Sequence, residues 1–407
     1  MTQVSPRTFA LSAASVGSAG LVAAVALGLA RLLGPSEFGI YTVVSTVAVS
    51  VSGLLTWNVG TALMQQLPLS RLSDASELMA TTLISVIATL STAAVMMVIV
   101  VSLWNTPSDV VWRIFALAAA TSINTLGDCS LRGRFRFTAA AALRIITSVS
   151  YATAAIFLLH RGIRRCLPFI DAFTVTTLCV GACGCWMAGA RPTHWSFASA
   201  RAIYGHGIPV TVSSLMLAAL FTADSMLLVH FSGAAAVGVY SVYNGMPKRL
   251  AGIIMNDGLG LTLLPSLAVT DTRDALDWIV RHAAPFICGA TISFALICTP
   301  LCLLAGPSYE FSLFTMLISG AGIAIHCLML LLGFVLVMEG RRGAKIQMIG
   351  ILMGFPIALG MMWWIIRLGT PRAGLWAFAA ANLVIVGVLV VIGRVGTHSW
   401  NTQGEQA

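Results

Sequence analysis

From Leu78 to Trp104 the chain carries no charged side chain. A stretch of that length leaves few folds open. About 20 apolar residues make one helical crossing of a bilayer, and in lipid each crossing must satisfy its own backbone hydrogen bonds. The stretch is one of a series. Apolar runs bounded by polar or Gly/Pro clusters predict twelve spans: Thr8–Leu33, Gly39–Gln66, Glu77–Leu103, Val111–Asp128, Ala139–His160, Leu167–Ala190, Gly205–Phe231, Val237–Leu267, Ile279–Ala305, Phe311–Met338, Ala344–Leu368 and Gly374–Gly393.

Composition agrees. Apolar residues make up 58% and charged residues 9% of the 407, against about 25% charged in soluble domains. The predicted fold class is all-α, a polytopic membrane protein of about twelve helices. The first run is far longer than a signal-peptide core of about 7–15 residues, so it is read as a retained span.

The net charge of +9 in a soluble protein would suggest nucleic acid. Here the basic residues flank apolar runs, so they set orientation and meet anionic lipid instead. Most loop Arg and Lys fall on the side of the N-terminus, which predicts both termini in the cytoplasm; His160–Cys166, "HRGIRRC", runs against this bias. The nine cysteines form no disulfide framework. Cys179, Cys183 and Cys185 sit close together in an apolar run without a nearby His or carboxylate cluster, so they read as packing residues and not as a metal site.

A punctuated segment separates the first two spans, "LGLARLLGPSEFGIYTVV" from Leu27 to Val44. Gly34 suits a left-handed helix end and Pro35 blocks continuation. Ser36 suits a cap, with Glu37 in the first turn and Arg31 in the last turn before it. The segment is thus a tight reversal on the outer side. It also has a second copy. Gly34-x4-Gly39-Ile40-Tyr41 recurs as Gly233-x4-Gly238-Val239-Tyr240, an offset of 233 − 34 = 199. "NVGTALMQQLP" (Asn58–Pro68) is echoed by "NDGLGLTLLP" (Asn256–Pro265). The offset is close to half the chain and predicts two similar six-helix lobes, residues 1–200 and 201–407, with a substrate route between them as in many transporters. The polar stretch Arg191–Gly207 reads as the connector.

"ARLLGPSEFGIY" after a first apolar span resembles the start of bacterial polysaccharide flippases of the O-antigen transporter type. These belong to the multidrug/oligosaccharidyl-lipid/polysaccharide exporter superfamily. "DCSLRGRFRFTAAAALRI" (Asp128–Ile145) is similar to the family's junction between helices four and five. Ala223–Gly245 and Leu261–Ala268 resemble its seventh and eighth helices. The chain is short for the family, with room for twelve helices and not fourteen. The resemblance implies transport of a lipid-linked oligosaccharide, usually on undecaprenyl pyrophosphate, from the inner to the outer leaflet for O-antigen, capsule or exopolysaccharide assembly. It implies membrane lipids, polysaccharide polymerase and assembly proteins as partners, and no cofactor.

A charge inside a span is a functional hypothesis by default. Lys248 and Arg249 lie about ten residues into the predicted eighth span, Asp224 lies in the seventh and Asp257 further along the eighth. Antiparallel neighbours bring Asp224 within reach of Lys248 or Arg249. Two readings stay open: a self-neutralising ion pair, or a cationic lining for a pyrophosphate, with Arg favoured for its planar fork. Asp224 and Asp257 are also the candidates for coupling to proton or sodium. Arg31, Arg113 and Arg144 are secondary headgroup candidates near span ends, where anchoring is the plainer account. Arg132-Gly133-Arg134-Phe135-Arg136-Phe137 forms a basic-aromatic collar on the cytoplasmic side.

No nucleophile–base arrangement, phosphate-binding Gly loop or soluble nucleotide domain appears. That argues against an ATP-driven pump and against a sugar transferase with a soluble domain, and leaves a small intramembrane enzyme open; the chain is read as a transporter and not an enzyme. A drug/cation antiporter of the same superfamily is the nearest rival. An acidic residue deep in the first span would be expected of it, and Thr8–Ala30 has none. An integral-membrane polymerase or ligase would need a larger outer loop than the roughly ten residues left here. A scaffold of the assembly machinery is the third alternative.

Overall fold

The computed structural model describes residues 6–57, 59–67, 72–104, 108–191, 195–255, 272–338, 341–369 and 372–404. Its elements are helical: α1 (Pro6–Thr56), α2 (Val59–Gln66), α3 (Leu72–Trp104), α4 (Ser108–Gly133), α5 (Phe137–His160), α6 (Leu167–Met187), α7 (Phe197–Tyr240), a π-helical turn (Ser241–Gly245), α8 (Met246–Ile253), α9 (Thr272–Ala305), α10 (Leu313–Met338), α11 (Arg341–Arg367) and α12 (Ala373–Gly404). Among the described residues, ten helical stretches are long and apolar enough to cross a membrane. Large apolar side chains such as Ile156, Leu296 and Trp364 are more than 60% exposed, as a lipid-facing surface requires.

Two of the ten stretches are double. Helix α1 has 51 residues, about 76 Å at 1.5 Å per residue, far more than a bilayer core of about 30 Å. It breaks at Gly34, where φ is 79° and ψ 171°. Helix α7 breaks the same way at Gly233, with φ 79° and ψ 174°. Each double stretch is two helices joined at its glycine, so among the described residues the ten stretches supply about twelve helices of spanning character. The ψ values correct one detail. Gly34 is not the left-handed helical cap expected from its sequence but sits in an extended mirror region open essentially to glycine alone. A further difference is the connector: most of Arg191–Gly207 is the start of α7. Its first residues are tied to α3, with Trp195 Nε1 donating to Ser85 Oγ at 3.2 Å, the Ser196 amide to Thr81 Oγ1 at 3.1 Å and Ser199 Oγ to Glu77 Oε1 at 2.9 Å.

The chain divides into two compact units, residues 1–25 with 43–215 and residues 26–42 with 216–407. In the first unit α4 packs closely on α6. The packing is backbone to backbone: a Cβ on Gly181 would lie 2.6 Å from Asn124 Cα, and one on Gly127 2.9 Å from the Gly181 carbonyl oxygen. Small residues at such crossings are the usual means of close helix approach in lipid. Cys185 lies in this seam, its Sγ 3.6 Å from the Ile123 carbonyl. All nine cysteines are free, and no metal-holding cluster of His, Cys, Asp or Glu occurs among the described residues.

In the second unit the repeated motif explains itself. A Cβ on Gly39 would lie 1.8 Å from the Ala234 carbonyl oxygen, and one on Gly238 1.9 Å from the Pro35 carbonyl oxygen. The two reversals therefore cross reciprocally, each glycine lying against the other copy's first turn. In each Gly-x4-Gly, the first glycine makes the turn and the second makes the crossing. This contact draws residues 26–42 into the second unit.

Candidate functional site

Two polar clusters lie within the spans, one in each unit. The first is built where α4 ends and α5 begins. Asp128 and Arg132 are one helical turn apart on α4, with Arg132 Nη1 3.5 Å from Asp128 Oδ2. The chain reverses at 134–136, and Arg144, two turns into α5, returns to the same carboxylate. Its Nε donates to Asp128 Oδ1 at 3.1 Å and its Nη2 to Oδ2 at 2.7 Å, a bidentate fork. Arg144 Nη1 also donates to Ser15 Oγ on α1, and Ser18 Oγ shares a hydrogen bond with Ser148 Oγ one turn beyond Arg144. The side chains of Asp128, Arg132 and Arg144 are 16%, 12% and 21% exposed. They line a cavity of about 330 Å³, with Asn124 and Thr125 beside them and the Gly181–Gly184 face of α6 opposite. The lining carries two guanidinium groups and one carboxylate, a net positive charge. Gly181 and Gly184 bring the α6 backbone close to α4 at this wall.

The collar below this cavity is braced on α6. Arg136 Nη1 donates to the Met187 carbonyl at 2.8 Å, where a cation meets the negative end of the helix. Burial and the neighbouring Arg136 hold the Arg134 guanidinium below its ordinary value.

The second cluster is in the second unit. Lys248 and Asp224 are 1% and 0% exposed, with Nζ 2.5 Å from Oδ2. Lys248 Nζ also donates to the Phe221 carbonyl at 2.9 Å. Three rings cage the ammonium, with centroids at 4.2 Å (Phe221), 5.0 Å (Phe378) and 5.6 Å (Tyr240), a favourable setting for a desolvated cation. Asp224 accepts four hydrogen bonds: Oδ1 takes the Ser225 amide and hydroxyl, and Oδ2 takes Lys248 and the Tyr240 hydroxyl. Asn244, inside the π-turn, donates to the Tyr240 hydroxyl, and Ser319 donates to the Tyr243 carbonyl at 2.6 Å. The π-turn inserts an extra residue and so sets Asn244 and Lys248 on the face that looks at α7; such turns recur at functional positions. His326 closes the cluster, its Nδ1 3.0 Å from Asn382 Oδ1 and its ring against Phe221 and Phe378.

The structure thus brings Asp224 to Lys248 and brings Arg144 to Asp128. Arg249 is half-buried on the turn that carries Lys248 and interacts electrostatically with Tyr41 and Asp224. Arg113 lies at the start of α4 in a bidentate pair with Asp171, at 2.9 and 3.2 Å, a clamp joining the ends of α4 and α6. Arg31 is exposed in the turn before Gly34, with its Cγ beside Gly306. Asp257 lies outside the described residues, as does the second copy of the Asn58–Pro68 pattern. Sequence reasoning missed Asp128, Ser15, His326 and Asn382. The Asp128-x3-Arg132 spacing was a readable signal for the first; the others need the tertiary fold.

A family model described as "Polysaccharide biosynthesis protein" matches residues 28–271, more than half of the chain. Among curated proteins none matches in sequence. Several solved structures share the fold. A multidrug resistance MATE family transporter of the MOP superfamily, in an inward-facing conformation, aligns with a TM-score of 0.66 and 14% identity, covering 97% of this chain and 95% of its own. The Vibrio cholerae MATE transporter VcmN in its bent form gives 0.61 and 13%, covering 97% of each. A MOP superfamily transporter from Pyrococcus furiosus, whose binding pocket is described as reversed in polarity, gives 0.59 and 14%, covering 96% and 95%. The chain therefore belongs to the polysaccharide biosynthesis protein family, as a multi-pass membrane protein with the fold of the MOP superfamily transporters.

Proposed function

We propose that the chain is a flippase that carries a lipid-linked oligosaccharide, on a polyprenyl pyrophosphate, from the inner to the outer leaflet of a bacterial cytoplasmic membrane, for lipopolysaccharide or exopolysaccharide assembly. One observation carries this reading: two arginines share one carboxylate on a 330 Å³ cavity at the α4–α5 turn. The basic-residue bias assigns that turn, and both termini, to the cytoplasm. A pyrophosphate entering there meets guanidinium forks suited to its oxygens. The isoprenoid tail stays in lipid while lobes 1–200 and 201–407 alternate in access.

Arg144 and Arg132 are the headgroup ligands in this account, and Arg249 is the matching cation of the second lobe. Lys248 and Asp224 hold each other. With four donors on the carboxylate, Asp224 has no oxygen lone pair pre-arranged for an exchanging proton or sodium. The membrane potential, negative inside, then drives the anion outward, at about 2.3 kcal/mol per charge per 100 mV. Arg31 and Arg113 serve as end anchors. Polysaccharide polymerase and assembly proteins are the downstream partners.

The drug/cation antiporter reading draws on the multidrug transporters that share the fold. The positive lining of the cavity works against it, since a cationic drug would be repelled. The chain acts as a carrier and not as an enzyme in either case. Arg144→Ala should abolish surface polysaccharide while the membrane level of the protein stays normal. Normal surface polysaccharide in that variant removes the cavity from the route.

A further inference from the structure

A second cavity lies at the end of the second unit where Gly233 reverses the chain. Its volume is about 550 Å³, within the range of small-molecule sites. Ser232 and Ala236 flank the reversal, the 306–312 connection supplies Glu310 and Phe311, and Arg372 joins them just before α12. The 306–312 connection is held in place: Tyr309 is buried and its hydroxyl donates to the Ala30 carbonyl at 3.1 Å, with burial pushing that phenol up.

The lining has an unusual mixture of chemistry. Tyr240 and Tyr243 present rings only, because their hydroxyls are already spent, on Asp224 and on the Glu310 backbone carbonyl. Arg372 uses its Nε on Thr315 Oγ1 at 2.9 Å, which leaves two terminal nitrogens. No ion pair joins Arg372 to the Glu310 carboxylate among the described residues. Exposed Arg372 and Glu310 thus line one cavity with the aromatic residues Phe311, Tyr240 and Tyr243. A phosphate satisfies Arg372 but is repelled by Glu310. An apolar ligand suits the rings but would take the exposed Arg372 and Glu310 side chains out of water without a partner wherever it covered them. A polyol satisfies all three, since each hydroxyl both donates and accepts and its C–H face lies on the rings.

We infer that this cavity binds saccharide: it takes about one or two neutral sugar rings, the glycan portion of the cargo at the outer side. That assignment of the sugar's source rests on the flippase reading; the binding chemistry does not. The test titrates maltose and diacetylchitobiose separately into the purified full-length protein in nanodiscs, followed by saturation-transfer NMR. Saturable binding of at least one, with Kd in the millimolar range, is expected. Arg372→Ala and Glu310→Gln should each weaken it about tenfold or more. Inorganic pyrophosphate should not displace the sugar, and Arg144→Ala should leave sugar binding intact. Binding of neither sugar, binding unchanged in both cavity variants, or displacement by pyrophosphate overturns the inference. Loss of polysaccharide in Arg144→Ala without sugar binding retires this cavity alone; sugar binding with normal polysaccharide in Arg144→Ala retires the α4–α5 cavity as the headgroup route, the observation on which the flippase reading stands, and leaves the sugar cavity in place.

Discussion

The buried pair in the second unit allows a sharp experiment. Asp224→Asn keeps the side chain's shape but removes its charge. It leaves the Lys248 ammonium 1% exposed, ringed by aromatics and without a counter-charge. Breaking one side of a buried pair costs about 3–5 kcal/mol. For a unit of about 200 residues each kcal/mol is worth about 2–4 °C, so the melting temperature should fall by about 6–20 °C. Lys248→Met alone should do similar harm, because the Asp224 carboxylate is then buried with one fewer cationic donor. The double variant Asp224→Asn/Lys248→Met removes both charges and keeps an apolar stem in the aromatic cage. It should recover most of the loss, so the coupling energy should be about 5 kcal/mol or more. The assay is the thermal melt of detergent-solubilised protein followed by size-exclusion chromatography. Additive losses in the double variant, or single variants as stable as the parent, refute the account of a self-neutralising clamp. Export by the double variant is the companion readout: a clamp can be replaced, whereas a cargo ligand cannot.

Other consequences are as direct. Gly39→Ala puts a Cβ 1.8 Å from a carbonyl oxygen and should abolish folded protein at the membrane, whereas Gly34→Ala meets nothing within 4 Å and should lose only about 1–3 kcal/mol to backbone strain, measured by the same melt. Arg144→Lys should keep part of the export that Arg144→Ala loses, since it retains the charge without the bidentate fork; equal loss in both would place the whole effect in the fork. Arg136→Ala removes the bond to the Met187 carbonyl and should lower stability by about 1 kcal/mol or less without touching export, since the group is exposed.

Hydropathy made the spans legible, because lipid demands long uninterrupted helices and a charge-free run has no other home. The Gly34 and Gly233 reversals were legible as a repeat. The reason for their second glycines was not, since a backbone crossing between segments 199 residues apart leaves no local trace. The Asp128–Arg132 spacing and Arg144 were all visible, yet their convergence depends on the tight reversal at 134–136. Lys248 and Asp224 stood out as charges in apolar runs, which narrows partners strongly because few exist. The π-turn that aims Lys248 has no periodic signature, and His326 looks like any core histidine until Asn382 arrives from another helix.

The most direct measurement is translocation in sealed proteoliposomes: a fluorescent polyprenyl-pyrophosphate oligosaccharide on one leaflet, a potassium-diffusion potential, and appearance of the sugar to an impermeant quencher. The account predicts protein-dependent translocation that speeds up with an outward-driving potential and falls about tenfold or more in Arg144→Ala. Translocation indifferent to both the potential and Arg144 would contradict it.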